Sequence, residues 1–306
     1  MPDITEQLDR FGAHSPVQFL ADPFPIGSEK MPIRLFLKRD DLLHPLVSGN
    51  KWRKLKYNLL AARSGQYTTL LTFGGAYSNH LYATAAAGQV FGFKTIGVVR
   101  GEELADAPLN PTLSFCRSQG MRLYFVSRAE YRQKENPAFL ATLTAQFGHC
   151  CVLPEGGTNE LALRGTAEIM TEILEQMGHA PDYVCCPVGT GGTLLGLAKT
   201  APPQTTVLGF MALKAPGFEL PEHVNCRLET AYHFGGYAKT TPELLNFIRL
   251  FEQKTAGLPH PVQVEQVYTG KMLYGIYELA RKGYFTPGAT VVAVHTGGLQ
   301  GRSNLL

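Results

Sequence analysis

Two kinds of feature in this chain could do chemistry: one lysine-rich stretch and three glycine-marked turns. Lys51 opens the run Lys51-Trp52-Arg53-Lys54-Leu55-Lys56, directly after Ser48-Gly49-Asn50, a turn that can cap a helix and place Lys51 in its first turn. An ammonium there meets the positive helix end and further cations, so its pKa should fall toward that of a usable amine nucleophile or base. The glycine turns are Gly74-Gly75-Ala76-Tyr77-Ser78-Asn79-His80, Gly189-Thr190-Gly191-Gly192-Thr193 and His295-Thr296-Gly297-Gly298. Glycine lets backbone N–H groups approach a ligand, and a helix start adds unpaired donors suited to phosphate or carboxylate. The 189–193 turn lacks the third glycine of a dinucleotide fingerprint, because Leu194 stands there, and no Gly-Lys-Ser/Thr follows for a triphosphate loop. A compact nest of this kind suits one phosphate monoester, or is an ordinary turn between strand and helix.

These turns follow apolar, strand-like runs at 69–73, 183–187 and 290–294, with further runs at 95–99, 123–126 and 207–211. Helical patterns cover 51–62, 79–90, 137–147, 161–177, 242–254 and 272–282. Continuous apolar strands alternating with helices predict an α/β fold with parallel sheets covered on both faces. Ligands in such folds bind at the carboxyl ends of strands, where the glycine turns lie.

Composition narrows the function class. The 306 residues carry 28 Lys and Arg against 25 Asp and Glu, net +3, with no basic stripe, so no nucleic-acid partner is expected. At 44% hydrophobic the chain can bury a large core, yet no apolar run reaches the roughly 18 residues of a membrane helix. The acidic start, 1–9, has no apolar signal core, so a cytoplasmic location is expected. Cys116, Cys150, Cys151, Cys185, Cys186 and Cys226 form no Cys-x-x-Cys pair and read as buried free thiols. His149 beside Cys150 makes no coordination shell, and no metal is expected.

Taken in order, Leu37-Lys38-Arg39-Asp40-Asp41-Leu42, Ser48-Gly49-Asn50-Lys51-Trp52-Arg53-Lys54-Leu55, Ser78-Asn79-His80, the 189–193 turn, Val267-Tyr268-Thr269-Gly270-Lys271 and His295-Thr296-Gly297-Gly298 resemble a known family. It is the pyridoxal-phosphate-dependent 1-aminocyclopropane-1-carboxylate (ACC) deaminase and D-cysteine desulfhydrase family, of the tryptophan-synthase-β-like fold type II. The resemblance implies two parallel-sheet α/β domains with the cofactor in the cleft between them: a large domain of 1–57 and 161–306, and a small inserted domain of 58–160. It implies that Lys51 holds the cofactor as a Schiff base and then takes the substrate Cα proton. Gly189, Thr190, Gly191, Gly192 and Thr193 would hold the phosphate, with Lys54 and Asn50 assisting. Asn79 would bond the ring hydroxyl, and Thr296 would face the pyridine nitrogen. Ser78, Asn79 and His80 would bind the substrate carboxylate, Ser78 also moving a proton, while Tyr237 and Tyr268 line the substrate side.

Within the family resemblance, true ACC deaminases carry Glu after the motif tyrosine and Leu after the C-terminal histidine. Here Thr269 and Thr296 stand at those positions, which leans toward D-cysteine desulfhydrase-like β-elimination to pyruvate, ammonia and sulfide. A hydroxyl facing the ring nitrogen, unlike a carboxylate, does not keep it protonated, which favours elimination over transamination. The alternatives are ACC deaminase, giving 2-oxobutanoate and ammonia, and a non-catalytic protein that binds pyridoxal phosphate without turnover. A small amino acid is the expected partner, no membrane is, and a homodimer is implied by the resemblance alone.

Overall fold

The computed structural model describes residues 4–10, 14–24, 32–47, 49–214, 219–220 and 225–306. The chain forms two compact units, Met1–Ala13 with Leu43–Gly165, and His14–Leu42 with Thr166–Leu306.

The first unit is built on a four-stranded, wholly parallel sheet. Its strands are β3 (Thr69–Gly74), β4 (Lys94–Arg100), β5 (Arg122–Val126) and β6 (Cys151–Leu153), in the order β5-β4-β3-β6. The helices are α1 (Ile4–Arg10), α2 (Asn50–Ser64), α3 (Asn79–Phe91), α4 (Pro111–Ser118), α5 (Arg128–Tyr131) and α6 (Pro137–Phe147). Strand β3 is apolar on both faces: Leu70 packs with Trp52, Leu55 and Leu59 of α2 and Ala83 and Ala87 of α3, whereas Leu71 and Phe73 pack with Val98, Val126 and Leu143. Helix α7 (Glu160–Met177) begins in this unit and continues in the second.

The second unit holds six strands in the order β1-β2-β10-β7-β8-β9. They are β1 (Val17–Leu20), β2 (Arg34–Lys38), β7 (Tyr183–Val188), β8 (Thr206–Met211), β9 (Cys226–Glu229) and β10 (Thr290–Val294), and only the edge strand β1 runs antiparallel. Val291 and Ala293 face the core formed with α9 (Pro242–Thr255) and α10 (Thr269–Arg281), while Val292 and Val294 face α7 and α8 (Gly192–Thr200). Full burial of each such side chain contributes about 1.5–3 kcal/mol, which is why these strands read as unbroken apolar runs. The adjacent Cys185 and Cys186 point to opposite cores, and all six cysteines are free. Among the described residues no helix is long and apolar enough to cross a membrane, and no cluster of His, Cys, Asp or Glu could hold a metal ion.

The division differs from the sequence expectation of 1–57 with 161–306 against 58–160. Residues 43–57, and Lys51 with them, belong to the unit that carries Ser78–His80. The reason is packing: Trp52 and Leu55 of α2 are only 1% exposed and share one core with Phe91 and Leu70, so the helix cannot be parted from α3 and β3.

Candidate functional site

In the first unit the predicted residues gather at the carboxyl end of the sheet and the start of α2. Gly49, at φ 64°, precedes α2, and Ser48 lies outside the described residues. Lys51 is half-buried, and its Nζ donates to Asn50 Oδ1 at 3.2 Å. Burial pushes its amine down to about 8. The cause is desolvation rather than the neighbouring cations that the sequence suggested, but the outcome, an amine partly unprotonated near neutrality, is the same.

Lys54 is 2% exposed and donates to Gly156 O and Thr158 Oγ1, both at 3.0 Å. The turn it grips, Glu155–Gly157, follows β6, which pairs with β3, so the turns after both strands come to one edge of the sheet. Asn58 and Asn159 exchange side-chain bonds at 2.8 and 3.2 Å, and Asn159 also accepts from Ala162 N at 2.9 Å. Thr158 and Asn159 were not singled out in the sequence. Their only sequence signal was the turn chemistry of Gly156-Gly157-Thr158-Asn159 ahead of a helical run.

Ser78 caps α3, its Oγ accepting from Leu81 N at 3.2 Å. Asn110 braces the turn before it by donating to Ala76 O at 3.0 Å. Asn79 is half-buried at the first helical position, and its amide makes no hydrogen bond among the described residues, which leaves it open to a ligand.

His80 departs from its expected part. Its ring is buried, Nε2 lies 2.8 Å from Thr72 Oγ1, and Nδ1 has no partner. Thr72 spends its proton on Leu153 O at 3.0 Å, so the network assigns the proton of His80 to Nε2. Burial, and then the Lys51 and Lys54 charges, hold this imidazole well below the usual histidine range. A neutral ring whose free nitrogen is an acceptor offers nothing to a carboxylate. The N–H groups at the start of α3 and the Ser78 hydroxyl remain suited to one.

The second unit gathers its own set at the carboxyl ends of the neighbouring strands β7 and β10. After Val188 the chain turns through Gly189 and Thr190 to Gly191, left-handed at φ 83°, and α8 begins at Gly192. The N-cap position of α8 is Gly191, which has no side chain to offer, and the turn around it brings backbone N–H groups together at the helix start. Thr166 Oγ1 fixes it from beneath by donating to Gly192 O at 3.0 Å. A Cβ on Gly189 would stand 3.3 Å from the Tyr268 ring, so tyrosine and turn are in close contact. Tyr268 in turn meets Tyr237 edge to face, with ring centroids 6.2 Å apart.

Thr296, 7% exposed, follows β10 beside a histidine fixed on both ring nitrogens. His295 Nε2 lies 2.6 Å from Gln263 O, Nδ1 accepts from Gly297 N at 3.2 Å, and Asp41 Oδ1 stands 3.8 Å away. Asp41 itself receives the Arg39 guanidinium at 2.8 Å. The Lys38-Arg39-Asp40-Asp41 motif thus builds the frame under this turn.

Thr269 is fully buried, and its hydroxyl donates to Glu265 Oε1 at 3.0 Å. Glu265, unremarked in the sequence, also accepts from the N–H groups of Val267, Tyr268 and Thr269 and so caps α10. That cap starts the helix at Thr269, ahead of the expected Met272.

Fit to pyridoxal phosphate is tested on three observations: a glycine turn at the start of α8 for a phosphate, a half-buried amine for an aldehyde, and the half-buried Asn79 amide for a ring hydroxyl. All three suit it. A family model described as pyridoxal-phosphate dependent enzyme matches residues 23–297. A Pyrococcus horikoshii protein carrying a provisional ACC deaminase name is 30% identical over 94% of this chain and 90% of its own. An Arabidopsis thaliana mitochondrial bifunctional D-cysteine desulfhydrase/ACC deaminase is 29% identical over 91% and 77%, and a Klebsiella pneumoniae D-cysteine desulfhydrase 29% over 95% and 94%. Among solved structures, one titled as an ACC deaminase homologue superposes with a TM-score of 0.76 and 26% identity over 98% of this chain and 96% of that one. With both units spanned by these matches, the chain belongs to the fold type II pyridoxal-phosphate-dependent enzymes, among the relatives of ACC deaminase and D-cysteine desulfhydrase.

Proposed function

We propose that this chain is a lyase that removes the amino group of a small amino acid, with Lys51 as the residue that carries pyridoxal phosphate and ACC as its first-choice substrate. The observation that carries the reading is Lys51: a half-buried amine held near 8, seated beside Asn50. Pyridoxal phosphate, when bound, supplies an electron sink for charge developing at the substrate Cα. With the cofactor bound, Lys51 would serve as the base. ACC has no hydrogen on Cα, so there it would take a proton from one ring methylene as the bond from Cα to the other ring carbon breaks, whereas from D-cysteine it would take the Cα proton; a pKa near the working pH suits either exchange. The N–H groups of 189–193 hold the phosphate, and the Asn79 amide fixes the ring hydroxyl. The start of α3, with Ser78, receives the substrate carboxylate. In this reading Lys54 acts on the phosphate site while also anchored to Gly156 and Thr158, and Tyr237 and Tyr268 wall the substrate. The same reading takes the working form as a homodimer in the cytoplasm.

Two considerations favour ring opening of ACC over the β-elimination that the sequence suggested. The relatives' names lean that way. Thr269, half of the argument for D-cysteine, has its hydroxyl committed to Glu265 inside the helix cap and so tells little about the substrate. The β-elimination reading keeps Thr296 and the Klebsiella relative in its support. Assay of purified enzyme for 2-oxobutanoate from ACC, and for pyruvate with sulfide from D-cysteine, separates the two. Turnover of neither substrate, or a Lys51→Ala protein as active as the parent, removes the proposal.

A further inference from the structure

Lys271 is buried, and among the described residues no carboxylate is hydrogen-bonded to it. It is 1% exposed, and its Nζ donates to three backbone carbonyls: Ala212 at 3.1 Å, His233 at 2.9 Å and Gly236 at 2.8 Å. Ala212 directly follows β8, whereas His233 and Gly236 belong to the loop that presents Tyr237. That loop has an improbable backbone. Phe234, Gly235, Gly236 and Ala238 all take positive φ, at 52°, 90°, 125° and 55°, and two of these residues carry side chains that disfavour it. Such a path needs outside support. Other contacts join it: Gly236 N donates to His233 O at 3.0 Å, Lys239 N to Gly236 O at 3.2 Å, His233 Nδ1 accepts from Gly235 N at 3.0 Å, and Phe234 packs edge-on against Tyr274 at 4.9 Å.

We propose that Lys271 is a positioning residue for the active site: its ammonium gathers the carbonyls of the 233–237 loop onto the end of β8 and thereby sets Tyr237 against Tyr268 and the phosphate turn. The relay is continuous within one unit. Tyr237 meets Tyr268 edge to face at 6.2 Å, and Tyr268 lies against Gly189. Lys271 also sits on α10 one turn beyond Tyr268, so a single helix start carries both the ring and the clamp that aligns its neighbour. Burial pushes the Lys271 amine down to about 8, with the Glu265 carboxylate opposing, while the three carbonyls accept from it. The catalytic part of the inference rests on the lyase reading above, whereas its structural part does not.

The test uses the cofactor-loaded enzyme and Lys271→Met, which keeps the stem and removes the donors. Hydrogen exchange of amides 233–239 is expected to quicken by about tenfold or more, with exchange in β7 and β10 unchanged. On the substrate that the enzyme turns over, kcat/KM falls, the visible cofactor band persists, and Tyr237→Phe has no further effect in the Lys271→Met background. A purely structural lysine would lower thermal stability but leave loop exchange as in the parent and the Tyr237→Phe effect additive, and that result overturns the proposal. If Lys271→Met does not fold, Lys271→Gln, with two N–H donors, is expected to give an intermediate loop exchange rate. A rate equal to the parent's would count against the clamp. Were the lyase reading wrong, the exchange result would stand alone, with the kinetic arm silent for every variant including the parent.

Discussion

Thr269 and Glu265 are bonded through hydroxyl and carboxylate at 3.0 Å at the start of the helix that carries Tyr268. The carboxylate takes four donors in all: Oε2 accepts from Val267 N, Oε1 from Thr269 N and hydroxyl, and both from Tyr268 N. The position of the Tyr268 backbone is therefore fixed by a buried anion rather than by a glycine or a surface cap. A tyrosine packed against Gly189 inherits that rigidity.

Glu265→Gln is expected to destabilise the protein by about 1–3 kcal/mol, since an amide NH2 would face backbone N–H donors whichever way it turned. Denaturant unfolding with an unchanged slope and a lower midpoint is the expected record. Equal midpoints for parent and variant would show that the cap is dispensable.

Lys51 gives a pH signature in protein stripped of cofactor. Its folded amine, near 8, lies below the ordinary lysine value, so the unfolded chain binds the proton more readily. Its contribution to stability is therefore present above the ordinary lysine value and is lost as pH falls toward 8. Lys51→Met should be more stable than the parent near neutrality, with the gap closing at alkaline pH. Parallel stability curves across that window would refute the desolvated amine.

Much of this was readable in the sequence, and the limits have physical causes. Every strand expected from an apolar run is present, because strands buried on both faces must be continuously apolar. Strands β1, β2, β6 and β9 were missed: Val17–Leu20, Cys151–Leu153 and Cys226–Glu229 are short and only partly buried, and Arg34–Lys38 carries a charge at each end, so their patterns give little signal. The helix starts beside Lys51 and at the 189–193 turn were legible because they depend on local spacing. Glu265, Thr158 and the clamp at Lys271 were not, because each acts through partners that only the fold supplies. The same holds for His80, whose ring is taken by Thr72, a strand residue eight positions earlier.

His80 should remain neutral, with its proton on Nε2, well below the usual histidine range. The depressed pKa means that the unfolded chain protonates first as pH falls. Stability from this residue is present above the ordinary histidine value and drains away toward acid. His80→Gln keeps a donor for Thr72 but does not titrate, so it should cost about 1 kcal/mol at neutral pH and show a shallower acid limb. Nitrogen chemical shifts of the ring across the same range check the tautomer directly. A ring that titrates at the ordinary value would contradict the assignment.

Thr269→Glu is the substitution that the family comparison invites as a switch toward ACC, and the structure argues that it will not act as one. Position 269 is fully buried, and its side chain points at Glu265, already an anion held by four donors and pushed above the usual carboxylate range by burial. A second carboxylate there meets like charge without water to screen it, so one of the two must take up a proton or the cap must open. The expected result is a loss of stability together with a comparable fall in kcat/KM for ACC and for D-cysteine, as both depend on Tyr268. Parallel assays of the two substrates on the variant, with unfolding midpoints measured alongside, decide the matter. A gain in ACC turnover at the expense of D-cysteine, in a protein as stable as the parent, would show that residue 269 reaches the substrate after all.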